Sequence, residues 1–190
     1  MYQIVTDGSC DLDQSIVDHY AMSVVPFYIT KDGKTHQKEK VDIEVEEFYQ
    51  FMVDHKDIFP KTSMPSVEDY IDVFTPFLKS GEDIICICIT TKFSGSYNSA
   101  NTAKQMLEDE FPQRKMSVID ATVNTVLQGL LVIEACEMKK ANYTYDEECD
   151  EYYCDVNLDE DEYYRFVSSD YKECPYYRSG DEYKVVRHQM

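Results

Sequence analysis

An apolar run, DIICICI at residues 83–89, constrains the fold more than any other stretch of the sequence. Beyond its first residue it shows no alternation of apolar and polar side chains, so the strand it predicts is covered on both faces. Such strands are typical of parallel sheets with helices packed on each side. Polar residues follow at once in TTKFSGSYNSA, at 90–100, where hydroxyls and one glycine lead into a predicted helix. Because ligands of such sheets bind at the carboxyl ends of the strands, this segment is a candidate binding edge.

Strands and helices alternate along most of the chain. Apolar patterns predict strands at 2–6, 23–30, 83–89 and 115–120, and helices at 11–21, 41–55, 66–81, 96–111 and 124–141. Pro26 would place the second strand at an edge or at a strand start. Either Ser9 or Asp11 could cap the first helix, and Ser66 starts a capping-box pattern for the third. Residues 1–145 are therefore expected to form an α/β domain with a mostly parallel sheet flanked by helices.

The overall composition excludes several classes of function. The chain of 190 residues carries a formal net charge of −19, and its pI is near 4.4. An acidic surface repels nucleic acid and anionic membranes, so nucleic acid is not an expected partner. No apolar stretch approaches the ~18 residues of a membrane span, and no signal peptide is recognised. Seven cysteines, an odd number, favour reduced thiols, with Cys86 and Cys88 as core residues. A cytoplasmic protein is the expectation.

The composition changes near residue 146. Residues 146–190 hold fourteen acidic and five basic residues, together with eight of the sixteen tyrosines. We therefore predict a boundary there, followed by an acidic, tyrosine- and cysteine-containing extension that is partly disordered or packs on the first domain. A zinc site in this extension would use Cys149, Cys154, Cys174 and His188. Their spacing matches no standard zinc motif, so no metal or other cofactor is expected.

Two polar clusters precede helices and could bind an anion. In FSGS, whose first serine is Ser94, a glycine leaves backbone amides uncovered at a helix N-terminus, where the helix dipole favours negative charge. Ser96 adds a second side-chain donor, and the cluster KTSMPS at 61–66 offers Thr62 and Ser63. Together the clusters could hold a carboxylate or a phosphate without a positive charge. On spacing alone, the simpler interpretation that Ser94 and Ser66 are only helix N-caps is favoured, because capping serines are common.

Five segments together resemble a known family. They are IVTDGSCDL at 4–12, VVPFYI at 24–29, KTSMPS at 61–66, FSGSYNSA at 93–100 and VIDA at 118–121. Their order and spacing resemble the N-terminal half of the DegV family of fatty-acid-binding proteins. The combination of TSxPS with SGSYxSA is the most specific part of the resemblance. Gly8 stands where serine is common in the family, and Ser96 where threonine is common.

The resemblance implies a carrier rather than an enzyme, with no catalytic residue. Thr62 and Ser94 would hold the carboxylate of a long-chain fatty acid through their hydroxyls, with Ser63 and Gly95 as neighbours. A separate ATP-dependent fatty acid kinase subunit would then phosphorylate the bound carboxylate. Contact with a membrane would be transient and limited to its surface.

The family also implies a second domain that helps to enclose the acyl chain. After about residue 146 no apolar segment is long enough to line such a pocket, so this domain is expected to be absent or replaced, and the chain to be a truncated member. Each buried methylene contributes about 0.8 kcal/mol, and each hydrogen bond to a charged head group roughly 1.5–3 kcal/mol. The acyl tail therefore outweighs the head group, and weak binding of long-chain acids is expected.

Two other functions stay open. A small α/β enzyme acting on an anionic metabolite could use Ser94 as nucleophile or binder, with Asp7 or Asp120 as the base. The simpler interpretation is that the two aspartates order the edge of the sheet by accepting backbone N–H bonds. The third candidate is a remnant that acts as an interaction protein through its acidic, tyrosine-rich end.

Overall fold

The computed structural model describes residues 1–146 and residue 149. This part of the chain contains seven strands and five helices. The strands are β1 (Tyr2–Asp7), β2 (Ser23–Val25), β3 (Tyr28–Thr30), β4 (Gln37–Lys38), β5 (Lys61–Ser63), β6 (Asp83–Cys88) and β7 (Met116–Asp120). The helices are α1 (Gln14–Tyr20), α2 (Val45–Asp54), α3 (Val67–Ser80), α4 (Ser96–Glu108) and α5 (Thr125–Lys140), and a short 3₁₀ turn, Gly8–Cys10, follows β1.

Four of the strands form one parallel sheet in the order β2-β1-β6-β7. β6 lies inside this sheet, where Cys86 pairs with Val5 of β1 on one side and with Val118 of β7 on the other. The apolar run at 83–89 thus takes the inner position that its lack of alternation predicted. The predicted α/β fold with a parallel sheet is confirmed.

Helices cover both faces of β6. One face carries the main hydrophobic core, whose buried members from β6, α3 and α4 include Ile84, Cys86, Cys88, Tyr70, Phe74, Ala100 and Ala103. Ile85 and Ile87 alternate to the other face, where α5 packs against β1 and β6. Cys86 and Cys88 are buried free thiols with their sulfurs 3.6 Å apart, as predicted for core residues. Burial raises the pKa of the Cys86 thiol well above its usual range.

A second, antiparallel sheet was not predicted. Its strand order is β4-β3-β5, with Thr62 of β5 opposite Ile29 of β3. The prediction of one strand over 23–30 is wrong, because the chain divides at Pro26 and its two parts join different sheets. Proline cannot donate to a strand ladder, so a strand ends readily there. The part after Pro26, β3, pairs with Lys61–Ser63, so these residues form a strand of the second sheet rather than a loop before α3.

The helix starts follow their predicted signals in part. Ser66 and Asp69 form the capping box of α3: the Ser66 hydroxyl accepts the Asp69 N–H at 3.2 Å, and the Asp69 carboxylate accepts the Ser66 N–H at 2.9 Å. The predicted caps of α1, Ser9 and Asp11, are wrong. The cap is Asp13, because a 3₁₀ turn follows β1 and delays the start of the helix.

Several predictions concern the C-terminal part of the chain. The extension, its partial disorder and the zinc ligands Cys154, Cys174 and His188 lie outside the described residues. Within the described residues, no group of three His, Cys, Asp or Glu side chains is arranged to hold a metal ion. No helix in that part of the chain is long and apolar enough to cross a membrane.

A candidate anion-binding edge on the parallel sheet

The loop after β6 brings Ser94 and Gly95 to the N-terminus of α4, and residues 94–97 are called the SGSY corner below. The Thr90 carbonyl accepts the Ser94 N–H at 3.2 Å, which closes the loop. The N-cap of α4 is Gly95 rather than Ser94, and the Ser94 hydroxyl oxygen, one residue earlier, helps to cap the helix by accepting the Ser96 N–H at 3.2 Å. A hydroxyl that accepts a hydrogen bond still has its own proton to donate. Because Ser94 is only half-buried, its capping role leaves it able to bind an anion.

Ser96 is not available to a ligand, contrary to the expectation that it adds a donor. It is completely buried, and its hydroxyl donates to the Asp7 carboxylate at 2.7 Å. The Tyr70 hydroxyl, also buried, donates to the Ser96 oxygen at 2.6 Å. These bonds tie the start of α4 to the end of β1 from inside the protein.

Asp7, at the end of β1, organises the interior of this edge. Its buried carboxylate accepts hydrogen bonds from the Ile89 N–H at 3.1 Å and from the Gln128 amide at 2.8 Å, in addition to the Ser96 hydroxyl. The Ser9 hydroxyl lies 2.5 Å from the same carboxylate and 2.6 Å from the Gln128 amide oxygen. Asp7 therefore orders the edge, mainly through side chains rather than through backbone N–H groups.

Sequence reasoning missed Gln128. This residue is fully buried on α5, and its amide also donates to the Thr6 hydroxyl oxygen at 3.1 Å. The signal was present in the sequence, because Gln128 is an uncharged polar residue inside an otherwise apolar stretch, VLQGLLVI at 126–133. Buried amides need hydrogen-bond partners, so such a residue points to polar groups on the facing strand.

The two aspartates that the enzyme hypothesis names as the base both have other hydrogen-bond partners. The hydrogen bonds described for Asp7 include none to Ser94. Asp120 accepts the N–H and the hydroxyl of Thr91 at 3.2 and 2.7 Å through one oxygen, and the Thr122 N–H at 2.8 Å through the other. Both carboxylates order loops, and neither is placed by a described bond to take a proton from Ser94.

Thr62 and Ser63 lie in β5, at one edge of the second sheet, and residues 62–66 are called the TSMPS corner below. Both side chains are exposed. β5 ends at Ser63, and Pro65 favours extended backbone in Met64, the next residue.

Met64 joins the two corners. A methyl group added at Gly95 would come within 2.7 Å of the Met64 sulfur and within 3.2 Å of its terminal carbon, so the thioether packs directly on Gly95. The contact brings the TSMPS and SGSY corners together.

A second buried carboxylate, Asp69, fixes the TSMPS corner. It accepts hydrogen bonds from the Tyr28 hydroxyl at 2.8 Å and the Ser66 hydroxyl at 2.6 Å, and the Lys38 ammonium lies 2.8 Å away. Burial opposes ionisation, but these donors outweigh it and lower the pKa of Asp69 to about 2. Since Tyr28 belongs to β3 and Lys38 to β4, Asp69 ties the second sheet to the start of α3.

Comparison with known proteins identifies the family. Residues 1–153 match the family model described as "Uncharacterised protein, DegV family". The chain belongs to the DegV family. A DegV domain-containing protein of Clostridium acetobutylicum is 37% identical over 145 residues, which cover 76% of this chain and 50% of the relative. Another, from Caldanaerobacter subterraneus, is 38% identical over 135 residues, which cover 71% of this chain and 46% of the relative.

Solved structures of DegV proteins share the fold. A stearic-acid-binding protein from Eubacterium ventriosum is 41% identical, with a TM-score of 0.77 over 80% of this chain and 52% of that one. A DegV family protein from Thermus thermophilus, described by its fatty acid binding, is 28% identical, with a TM-score of 0.67 over 80% of this chain and 51% of that one. The chain spans about half the length of the curated relatives it matches.

A second family model matches the end of the chain. It is a domain of unknown function, DUF6472, and it covers residues 133–190. The match begins within α5, so it overlaps the DegV match and includes the acidic segment that composition set apart at residue 146. The C-terminal segment therefore resembles sequences found in other proteins.

Proposed function

We propose that this DegV protein is a non-catalytic fatty-acid-binding module that holds an acyl carboxylate between its two hydroxyl-bearing corners. Thr62 and Ser94 donate their hydroxyl protons to the carboxylate, and Ser63 and Gly95 complete the surroundings of the head group. The observation that carries the proposal is the packing of Met64 on Gly95, because it sets the TSMPS corner against the SGSY corner.

The chemistry of the two corners fits a carboxylate. Ser94 accepts the Ser96 N–H at the start of α4 and still has its own proton to donate. Thr62 is exposed in β5. The N-terminus of α4, a helix of 13 residues, adds a favourable dipole. Hydrogen bonds to a charged acceptor are stronger than neutral ones, so two hydroxyls can hold an anion without a cation.

The acyl tail supplies most of the affinity in this proposal. A chain of about 14 methylenes contributes on the order of 11 kcal/mol before costs, against roughly 1.5–3 kcal/mol for each head-group bond. Solved relatives, of which this chain covers about half, include proteins described by the binding of stearic acid and other fatty acids. We expect this chain to bind the tail less tightly than they do unless a further protein surface covers it.

Presentation to a kinase completes the proposal. A neutral, hydroxyl-lined grip on the carboxylate leaves one oxygen able to attack a phosphoryl donor held by a separate ATP-dependent kinase subunit. The product would be an acyl phosphate. The buried thiols Cys10, Cys86 and Cys88 are free, which is the state that a reducing compartment maintains, and we place this step in the cytoplasm.

Native mass spectrometry of the full chain after bacterial expression tests the proposal. We expect a fraction of the protein to retain a ligand with the mass of a C16–C18 acid. This fraction should be smaller in Thr62→Ala and in Ser94→Ala. Thr102→Ala and Ser80→Ala are the matched controls, since both hydroxyls bond to carbonyls of their own helices, and they should retain the ligand. If both site variants carry the same acyl ligand as the parent chain, the assignment of the carboxylate site is wrong.

A further inference from the structure

We propose that Met64 determines how the site accepts the acyl chain: its thioether is the first apolar surface that the chain meets beyond the carboxylate. The inference rests on the proposed function and adds a residue that the hydroxyl motifs do not include. Three exposed apolar side chains flank the two corners, namely Phe59, Met64 and Phe93. Met64 is the one whose contact with the opposite corner is established.

The position of Met64 suits this role. It follows Thr62 by two residues, directly after the end of β5, and its sulfur packs on Gly95, the neighbour of Ser94. The side chain is nevertheless 45% exposed, so part of its surface remains free to contact a ligand. A carboxylate held by Thr62 and Ser94 therefore has its first methylenes beside this thioether.

The chemistry of methionine also suits it. An unbranched, polarisable side chain with three rotatable bonds adapts to a flexible hydrocarbon and packs against it without fixing one chain geometry. Phe59 and Phe93 are 83% and 75% exposed.

Gly95 sets where Met64 lies. Its φ of −84° and ψ of 6° are open to any residue, so alanine is compatible with the backbone there. An added methyl group would instead displace the Met64 thioether, which it approaches to 2.7 Å. Gly95→Ala thus acts on the ligand through Met64 and separates this contact from the backbone conformation of the loop.

Binding of sodium hexanoate and sodium palmitate to the delipidated full chain tests the inference. Met64→Ala should lower the affinity for both acids by a similar factor, about tenfold, because both acyl chains make the same first contact. Met64→Leu should recover most of the affinity. Met106→Ala, at an exposed methionine near the other end of α4, is the matched control and should bind like the parent.

A double-mutant cycle gives a readout that a merely structural role would not produce. Gly95→Ala should weaken the binding of both acids when it is introduced into the parent chain. It should have no further effect on binding when it is combined with Met64→Ala. Unfolding midpoints of all variants are measured alongside. Additive losses, or a loss for palmitate alone, overturn the inference, as does parent-like binding by Met64→Ala. If Met64→Ala binds normally while Thr62→Ala does not, the proposed function survives. If the parent chain binds neither acid, both proposals fail.

Discussion

The two corners of the site are built on opposite plans. In the SGSY corner, one serine faces the interior: Ser96 is fully buried and bonded to Asp7 and Tyr70, and Ser94 alone is left to meet a ligand. In the TSMPS corner, the side chains of Thr62 and Ser63 are both exposed, and Asp69, the carboxylate that anchors the corner, is buried.

The difference teaches that two similar-looking hydroxyl motifs divide their work differently. At the SGSY corner, the buried Ser96 and the proposed ligand-binding residue Ser94 lie at one helix start. At the TSMPS corner, the proposed binding residue Thr62 lies in an exposed strand, and the capping box of α3 follows that strand. Substitutions in the two corners should therefore differ first in their effect on the free energy of unfolding.

The largest loss is expected for Asp7→Ala. The substitution leaves the Ile89 N–H and the side chains of Ser96 and Gln128 without their buried acceptor, so the free energy of unfolding should fall by about 3–5 kcal/mol. Urea denaturation measures it. The control, Asp120→Ala, removes bonds at a more exposed loop and should cost less. A loss below about 1 kcal/mol for Asp7→Ala would show that the buried network does not hold the edge together.

Asp69→Asn should come next, and its effect should depend on pH. The pKa of Asp69 is about 2 in the folded protein, below its ordinary value of 3.8. The ionised carboxylate therefore stabilises the fold by about 2 kcal/mol above roughly pH 4, and this contribution disappears as the pH falls through about 2. The difference in unfolding free energy between parent and variant should shrink over that range. A difference that stays constant from pH 7 to pH 3 and below contradicts the assignment.

Tyr70→Phe should have a smaller effect, confined to the SGSY corner. It removes the hydroxyl that donates to Ser96 and leaves the ring in the core, so a loss of about 1 kcal/mol is expected. Tyr49→Phe, at an exposed tyrosine, is the control and should be neutral. Equal losses in the two variants would mean that the Tyr70–Ser96 bond contributes nothing.

The two residues assigned to the ligand should have effects on unfolding no larger than that of Tyr70→Phe, and Thr62→Ala should have the smallest. Thr62→Ala should change the free energy of unfolding by no more than about 0.5 kcal/mol, because Thr62 is exposed. Ser94→Ala should cost about 1 kcal/mol, since it removes the cap that accepts the Ser96 N–H. A large loss for Thr62→Ala would move this residue from binding to structure and weaken the contrast between the corners.

The parallel sheet could be predicted well from the sequence, and the details of the site less well. Strand β6 and the capping box at Ser66 follow from local patterns, namely an apolar run without alternation and a serine three residues before an aspartate. The second sheet could not be read in the same way. Its strands have two or three residues, too few for a periodic pattern, and their pairing joins distant parts of the chain.

Long-range packing also decided which hydroxyls face outwards. Ser94 and Ser96 look equivalent in the sequence, and only the position of Asp7 at the end of β1 makes Ser96 an internal residue. The pairing of Thr62 with the SGSY corner was implied by family resemblance, and the contact that supports it, Met64 on Gly95, joins residues thirty-one positions apart. Local pattern supplies the candidates, and tertiary contacts select among them.

A crystal structure of the full chain with palmitate tests the central claim most directly. We predict one carboxylate with its oxygens about 3 Å from both the Thr62 and the Ser94 hydroxyl oxygens, and the first methylenes against Met64. A carboxylate bound elsewhere, or held by only one of the two hydroxyls with the other turned away, would contradict the proposal that the two corners converge on a single head group.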